Sequence, residues 1–228
     1  VASYISQVTP SESSVIKRVA YEPMFLHHLR EDLGLKGITR VSLHEPLTSL
    51  LRVCIVVVAK GTPKPEIWRA LHGAAFYRPD SGKICIAVSE DIDPDNADAL
   101  FWAMSYRMNP MTDMKTVPGR GMGHGPKRES DDEEDGTLMI DATMKADLPP
   151  LALPKREYME RAKAIWEELG LPHLQPRPPW HGYSLGDWLP DWDQAALSAV
   201  QGNYQENGRI SESRRAKGLK PETKFRPR

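Results

Sequence analysis

Short runs that are apolar at every position alternate along this chain with longer stretches that are apolar on one side only. Ile55-Val56-Val57-Val58 and Ile84-Cys85-Ile86-Ala87-Val88 are of the first kind. Such runs, rich in β-branched residues and lacking a polar side, predict strands covered on both faces of a sheet. They place one strand over Leu51–Ala59 and another from Ile84; Ile38–Leu43 and Met114–Val117 fit two shorter ones. Ser11–Asp32 is of the second kind. Val15, Val19, Met24 and Leu29 form a stripe, Ser11, Ser13 or Ser14 can cap the start, and Gly34 stops the helix. Pro23 inside it predicts a kink or two helices. Gly61–Pro65 reads as a turn, and Pro65 opens a helix that runs to about Phe76, followed by a loop over Tyr77–Gly82. Asp93 is placed to cap a helix with Pro94 at its first position, and Asn109-Pro110 ends that helix. Strands alternating with helices predict an α/β fold, a layered mixed or parallel sheet with flanking helices.

The pattern changes after the fourth strand. Glycines alternate at 119, 121, 123 and 125, and Glu129–Asp135 is mostly acidic, which predicts a mobile surface loop. Pro149, Pro150 and Pro154 make a stiff linker, dividing a domain over 1–148 from a region over 149–228. Lys155–Leu169 is an amphipathic helix with Tyr158, Ala162, Ile165, Trp166 and Leu169 on one face and Gly170 as its stop. Trp180, Trp188 and Trp192 follow among prolines, an aromatic arm suited to lying on another surface. The extended C-terminal helix and this arm are expected to build an oligomer. From Arg209 to Arg228 the chain is basic, with only Glu212 and Glu222 opposing, and no internal repeat is present. A tail pairing with acidic protein surface is favoured over nucleic acid, because no aromatic residues are interleaved with its charges.

A chain of 228 residues has room for one medium domain and an appendage. A net charge of −1 sets up no global field for nucleic acid or membrane. No stretch approaches the roughly 18 continuous apolar residues of a membrane span, and no signal peptide is evident. Cys54 and Cys85 lie in apolar runs, where free buried thiols are favoured over a cross-strand disulfide. These features predict a cytoplasmic protein.

Several residue groups invite a chemical reading. Glu90, Asp91 and Asp93 could hold a hard divalent cation, but a helix cap with solvated neighbours fits them better. The alternating glycines lack the lysine and serine or threonine of a phosphate loop. His27 with Glu31, and His28 with Asp32, have the spacing of a helical zinc pair, yet such pairs are more often surface contacts. His124 is a conceivable proton donor in a loop, and no nucleophile elbow or catalytic triad is evident.

The order of motifs says more. Ser89-Glu90-Asp91-Ile92-Asp93-Pro94, then Phe101–Pro110 with Trp102, and then Arg107, Pro110 and Asp113, resembles the UbiD-type decarboxylases. Members of that family often show an acidic D-D-I/V-D turn, a tryptophan-bearing helix and R-x-x-P-x-x-D. Leu138–Lys145 is similar to the family's G-I/L-D-A-T-x-K segment, Met122-Gly123-His124-Gly125 to a loop of the ferulate-decarboxylase branch, and Thr9–Ser13 to the P-x-E segment that opens its C-terminal domain. The resemblance covers about residues 5 to 170. It implies a lyase of aromatic acid metabolism, reversibly removing CO₂ from an aromatic or α,β-unsaturated carboxylic acid. The cofactor implied is prenylated FMN, which forms an adduct with the substrate and has Mn²⁺ and K⁺ at its phosphate.

It also implies site residues. Lys83 corresponds to a lysine near the cofactor; a strand-edge charge is the plain alternative. Ile16, Val117, Arg120 and Met122 correspond to substrate-pocket positions, although Lys17 stands where many members have glycine. Arg120 is suited to a substrate carboxylate or thioester-linked group. No counterpart of the family's E-G-P-F-G-D/E segment is found, and the chain begins at Val1. The resemblance therefore implies a C-terminal portion, a subunit or a cleavage product, whose catalytic Arg and Glu set and flavin lie on another polypeptide. A non-catalytic assembly module, or a stand-alone binding protein, are the rival expectations.

Overall fold

The computed structural model describes residues 12–44, 52–78, 81–120, 135–145, 156–174 and 190–216. These fall into two compact units. The first holds α1 (Glu12–His27) continuing into a π turn (His28–Asp32), β1 (Ile38–Leu43), β2 (Val53–Val58), α2 (Lys64–Tyr77), β3 (Ile84–Ser89), α3 (Ala97–Arg107), β4 (Met114–Arg120), β5 (Asp135–Ala142) and α4 (Arg156–Glu168). The second holds α5 (Pro190–Val200) and α6 (Tyr204–Ala216).

The sheet of the first unit is mixed, in the order β1-β2-β3-β5-β4. Strands β2, β3 and β5 run parallel at its centre, and β1 and β4 close the two edges antiparallel. One face carries Val41, Leu43, Cys54, Val56, Val58, Cys85, Ala87 and Met139 against Phe25, Leu29 and the inner side of α2. The other carries Ile55, Val57, Ile86, Val88, Ile140 and Ala142 against Ile92 and the inner side of α3. The central runs have no polar side because both faces are covered. Each fully buried aliphatic side chain of this kind contributes about 1.5–3 kcal/mol relative to exposure.

Local chemistry sets the ends. α1 passes through Pro23 without stopping and then widens into the π turn, so the division expected at the proline lies four residues later. Gly34, at φ 67°, ends it. Gly73 of α2 lies against that turn: a Cβ there would come 2.5 Å from Leu33 Cδ1, so a glycine lets the two helices touch. α3 is capped by Asn96, whose side chain accepts from the Asp98 and Ala99 N–H groups. Asp93, the residue expected in that role, instead accepts from the Asp95 N–H and shapes the preceding turn. β5, an interior strand between β3 and β4, is one that the apolar pattern did not predict. Cys54 and Cys85 sit opposite one another on β2 and β3, both buried and not joined in a disulfide. α4 ends at Gly170, where the Leu171 N–H bonds back to the Trp166 carbonyl, and Trp166 Nε1 donates to the Pro172 carbonyl at 2.7 Å. No helix among the described residues is long and apolar enough to cross a membrane.

Candidate functional site

β2, β3 and β5 finish at one end of the sheet, the end at which parallel α/β sheets commonly hold ligands. The motif residues converge there. Asp141 is fully buried, and its Oδ1 accepts from the Thr143 N–H at 3.1 Å, Thr143 Oγ1 at 2.6 Å and Lys145 Nζ at 3.0 Å. Lys145 also donates to the carbonyls of Asp141 and Thr143, and the Met144 N–H donates to Ser89 Oγ at 2.8 Å. Asp113 accepts from Lys64 Nζ at 2.7 Å and from the Asn109 N–H at 2.9 Å, with Lys145 Nζ 3.9 Å from its Oδ2. Burial pushes the Asp113 carboxyl up. The Lys64 and Asn109 hydrogen bonds and the charges of Lys145 and Lys64 outweigh it and hold the group below the usual carboxylate range.

Arg107 is buried and forks onto both oxygens of Asp91, with its guanidinium carbon 5.0 Å from the Trp102 ring centroid. In this network only Asp141 Oδ2 and Arg107 Nε lack a hydrogen-bond partner among the described residues, and both are buried. Every charge thus has an internal counter-charge. The cluster fixes the turns after β3 and β5, with Asp91, Asp113 and Asp141 each facing a cation.

The acidic turn is occupied in the same way. Asp95 accepts from Arg18, Arg40 and Ser42, which ties the turn to α1 and β1. Its burial raises the carboxyl pKa, and the Ser42 hydrogen bond and the two guanidinium groups lower it further than burial raises it. No group of three His, Cys, Asp or Glu side chains suited to a metal occurs among the described residues. His28 Nδ1 lies 2.9 Å from Asp32, and its ring stacks on Tyr77, a local contact rather than a metal pair.

The opposite end of the sheet carries the family-implied residues. Lys83 precedes β3, and its carbonyl accepts from the Leu138 N–H. By register it lies level with Thr137, which pairs with Val117. Strand alternation puts all three on one face, so Lys83 and Val117 are about 10 Å apart across two strand spacings. Val117 packs on the edge of the core. Arg120 ends β4 opposite Asp135, farther out at the same end. Ile16 does not join them. It is exposed on α1, whose Arg18 reaches Ser42 of β1, the other edge strand, which lies two strand spacings (about 10 Å) from β3 and four (about 19 Å) from β4. Met122, His124 and the glycines from 121 to 125 lie outside the described residues. Lys64, which nothing in the sequence marks, and Ser89, which opens the acidic motif, complete the network at that end, each meeting a partner roughly fifty residues distant.

Residues 15–142 match the family model for the 3-octaprenyl-4-hydroxybenzoate carboxy-lyase (UbiD) C-terminal domain, more than half of the chain. The chain belongs to the UbiD family. None of the curated proteins matches it. Among solved structures it is similar to the UbiD-class enzyme HmfF of Pelotomaculum thermopropionicum in complex with FMN, at 20% identity and a TM-score of 0.54, over 66% of this chain and 34% of that one. It is also similar to the vanillic acid decarboxylase of Sedimentibacter hydroxybenzoicus in open form, at 18% identity and a TM-score of 0.55, over 72% of this chain and 35% of that one. At these identities the likeness is one of fold. The chain spans about a third of the length of these relatives. As a UbiD-family domain it carries a decarboxylase-family fold, and the closed network is how that fold ties its own turns together.

Proposed function

We propose that this chain is the C-terminal-domain component, subunit or fragment, of a UbiD-like carboxy-lyase. It would act reversibly on an aromatic or α,β-unsaturated carboxylic acid, with the catalytic Arg and Glu set and the flavin on a companion polypeptide. The observation that carries this reading is the match of residues 15–142 to the C-terminal domain of the family in a chain that covers about a third of its solved relatives; among the described residues the buried carboxylates of the family motifs are paired with cations, in keeping with a structural share. HmfF was solved with FMN, which supports a flavin, and we take it to be prenylated FMN with Mn²⁺ and K⁺ at its phosphate on the companion chain.

Lys83 fits a phosphate by chemistry, a half-buried ammonium just before β3. When bound, the flavin supplies the electron sink for loss of CO₂. This chain's own residues hold and orient. Val117, Met122 and Ile16 present apolar surface to the substrate ring, and Arg120 receives its carboxylate or thioester-linked group. Ile16 reaches that pocket only across an assembled interface, given its place at the far edge. An oligomer built through α4 and the Trp-rich arm, and a cytoplasmic location, complete the proposal.

A purely structural assembly module is the second reading, favoured by the exposed apolar side chains of α4: Tyr158, Ile165, Trp166 and Leu169. Native mass spectrometry with an absorbance spectrum, on protein purified from its source, separates the two. A complex with a larger flavin-carrying chain is expected; a flavin-free homo-oligomer would leave only the assembly reading.

A further inference from the structure

The parallel strands β2 and β3 enter the sheet side by side, and each enters behind a cation. Val53 lies beside Ile84 in register, and Cys54 beside Cys85. The Ile84 N–H donates to the Arg52 carbonyl at 3.0 Å, so the pairing extends one residue further and sets Arg52 beside Lys83. The Leu138 N–H holds the Lys83 carbonyl from the other side at 2.9 Å. Neighbouring strands are about 4.8 Å apart. Cys54 and Cys85 face the same core cluster, and by alternation Arg52 and Lys83 lie on that face too. Both are half-buried. Like charges side by side on neighbouring strands destabilise a sheet, and partial burial sharpens the repulsion.

A third cation stands at this end. Arg78 closes α2, with its guanidinium carbon 4.4 Å from the Tyr21 ring centroid, and Tyr21 packs on the same core cluster. The Ser81 N–H donates to the Arg78 carbonyl at 3.4 Å, which folds the chain back toward Lys83. Gly82, at φ 71°, has its carbonyl held by the Cys85 thiol at 3.3 Å, and a Cβ there would come 3.2 Å from the Ala74 carbonyl oxygen. The turn that carries Lys83 is thus pinned against α2. Glu22 of α1, on the same side of the sheet, is engaged by Arg18 and by the Leu43 N–H.

We infer that Arg52, Lys83 and Arg78 together form a binding site for a phosphate monoester, an inference that rests on the phosphate role proposed above for Lys83 and adds two residues to it. A dianion placed between the cations on β2 and β3 turns their repulsion into attraction. Each planar guanidinium offers paired N–H donors to phosphate oxygens, and the ammonium adds a compact point charge. The pinned turn holds Lys83 in place before the anion arrives, which limits the ordering cost of binding. The phosphate group can belong to the flavin or be free in solution, and experiment tells the two apart.

The test compares thermal unfolding of the full chain in sodium phosphate and in sodium chloride at equal ionic strength. Phosphate is expected to raise the midpoint in a concentration-dependent way, because a ligand bound only to the folded state stabilises it. Arg52→Gln and Arg78→Gln should each weaken the phosphate affinity read from that shift by at least about tenfold, the usual loss for a charge-assisted hydrogen bond. Arg52→Lys should retain most of it. Lys115→Gln, on the same sheet face but over Trp68, is the control and should leave it unchanged. In chloride, Arg52→Gln should unfold no earlier than the wild type, since it removes a like charge beside Lys83. If phosphate stabilises the wild type no more than chloride does, or if Arg52→Gln and Lys115→Gln respond alike, the inference is overturned. Cations that merely balance Asp80, an acid between Arg78 and Lys83 in the sequence, would give the first of these results. The tagged chain, isolated from its source with the flavin-carrying chain it retains, then assigns the source. Lower flavin retention in Arg52→Gln assigns the flavin's phosphate, and unchanged retention assigns free phosphate. A wild-type chain that retains no flavin-carrying partner overturns the proposed function, while the phosphate site stands or falls on the thermal result.

Discussion

The two ends of the sheet carry opposite kinds of polar residue. Where β2, β3 and β5 finish, Asp141, Lys145, Asp113, Lys64, Asp91 and Arg107 are consumed by one another. Where the same strands begin, Lys83 and Val117 stand at an edge with Arg120 beyond them. The end that looks chemically rich is internally neutral, and the plainer end is the one to which the proposed function assigns the ligand. The pairing of the charges shows what the rich end does, because a paired and buried group is a tie.

The comparison breaks most visibly at Asp141. Asp141→Ala removes the acceptor of Thr143 and Lys145 together, and should lower stability by about 3–5 kcal/mol in urea unfolding, as loss of one partner of a buried pair does. A loss under 1 kcal/mol would mean that the network is not a tie.

Acid should act on the same end next. The Asp113 carboxyl is depressed in the folded chain, so its contribution is fully present above the unfolded value, about 4. It is lost as the pH falls through the lower folded value. Thermal unfolding between about pH 5 and pH 2 should show this loss, and Asp113→Asn should flatten that limb. An unchanged limb in the variant would assign acid sensitivity elsewhere, Asp95 being the next candidate.

The smallest structural effect is expected at the open end. Lys83→Met should change stability by no more than about 0.5 kcal/mol, while weakening retention of the flavin in the assembled complex. A large stability loss with unchanged flavin retention would make Lys83 a structural residue like Lys145.

Much of this architecture is legible in the sequence because burial imposes a pattern. β2 and β3 are apolar at every position, and Gly34 and Pro65 punctuate where a helix has to stop or start. β5 escapes the pattern because it carries Asp141 at its end and follows an acidic, glycine-rich segment. A buried aspartate interrupts an apolar run, and only its partners, Thr143 and Lys145, make it tolerable there. The cap of α3 is misplaced by three residues because Asp93 and Asn96 have the same capping chemistry, and the turn decides which one uses it. The network as a whole is invisible from the chain because Lys64 and Asp113, like Ser89 and Met144, meet only in the fold.

The sheet order has a consequence in time. β5, the last strand made, inserts between β3 and β4, so β4 has no neighbour until residue 142 is available. During synthesis β1, β2 and β3 can pair early, but β3 keeps a bare edge and β4 waits unpaired. A chain released before residue 135 would present two open strand edges, the template for pairing with the wrong molecule. An interior strand is thus the last piece of this sheet to be made, and the nascent chain has to be kept from mispairing over that interval.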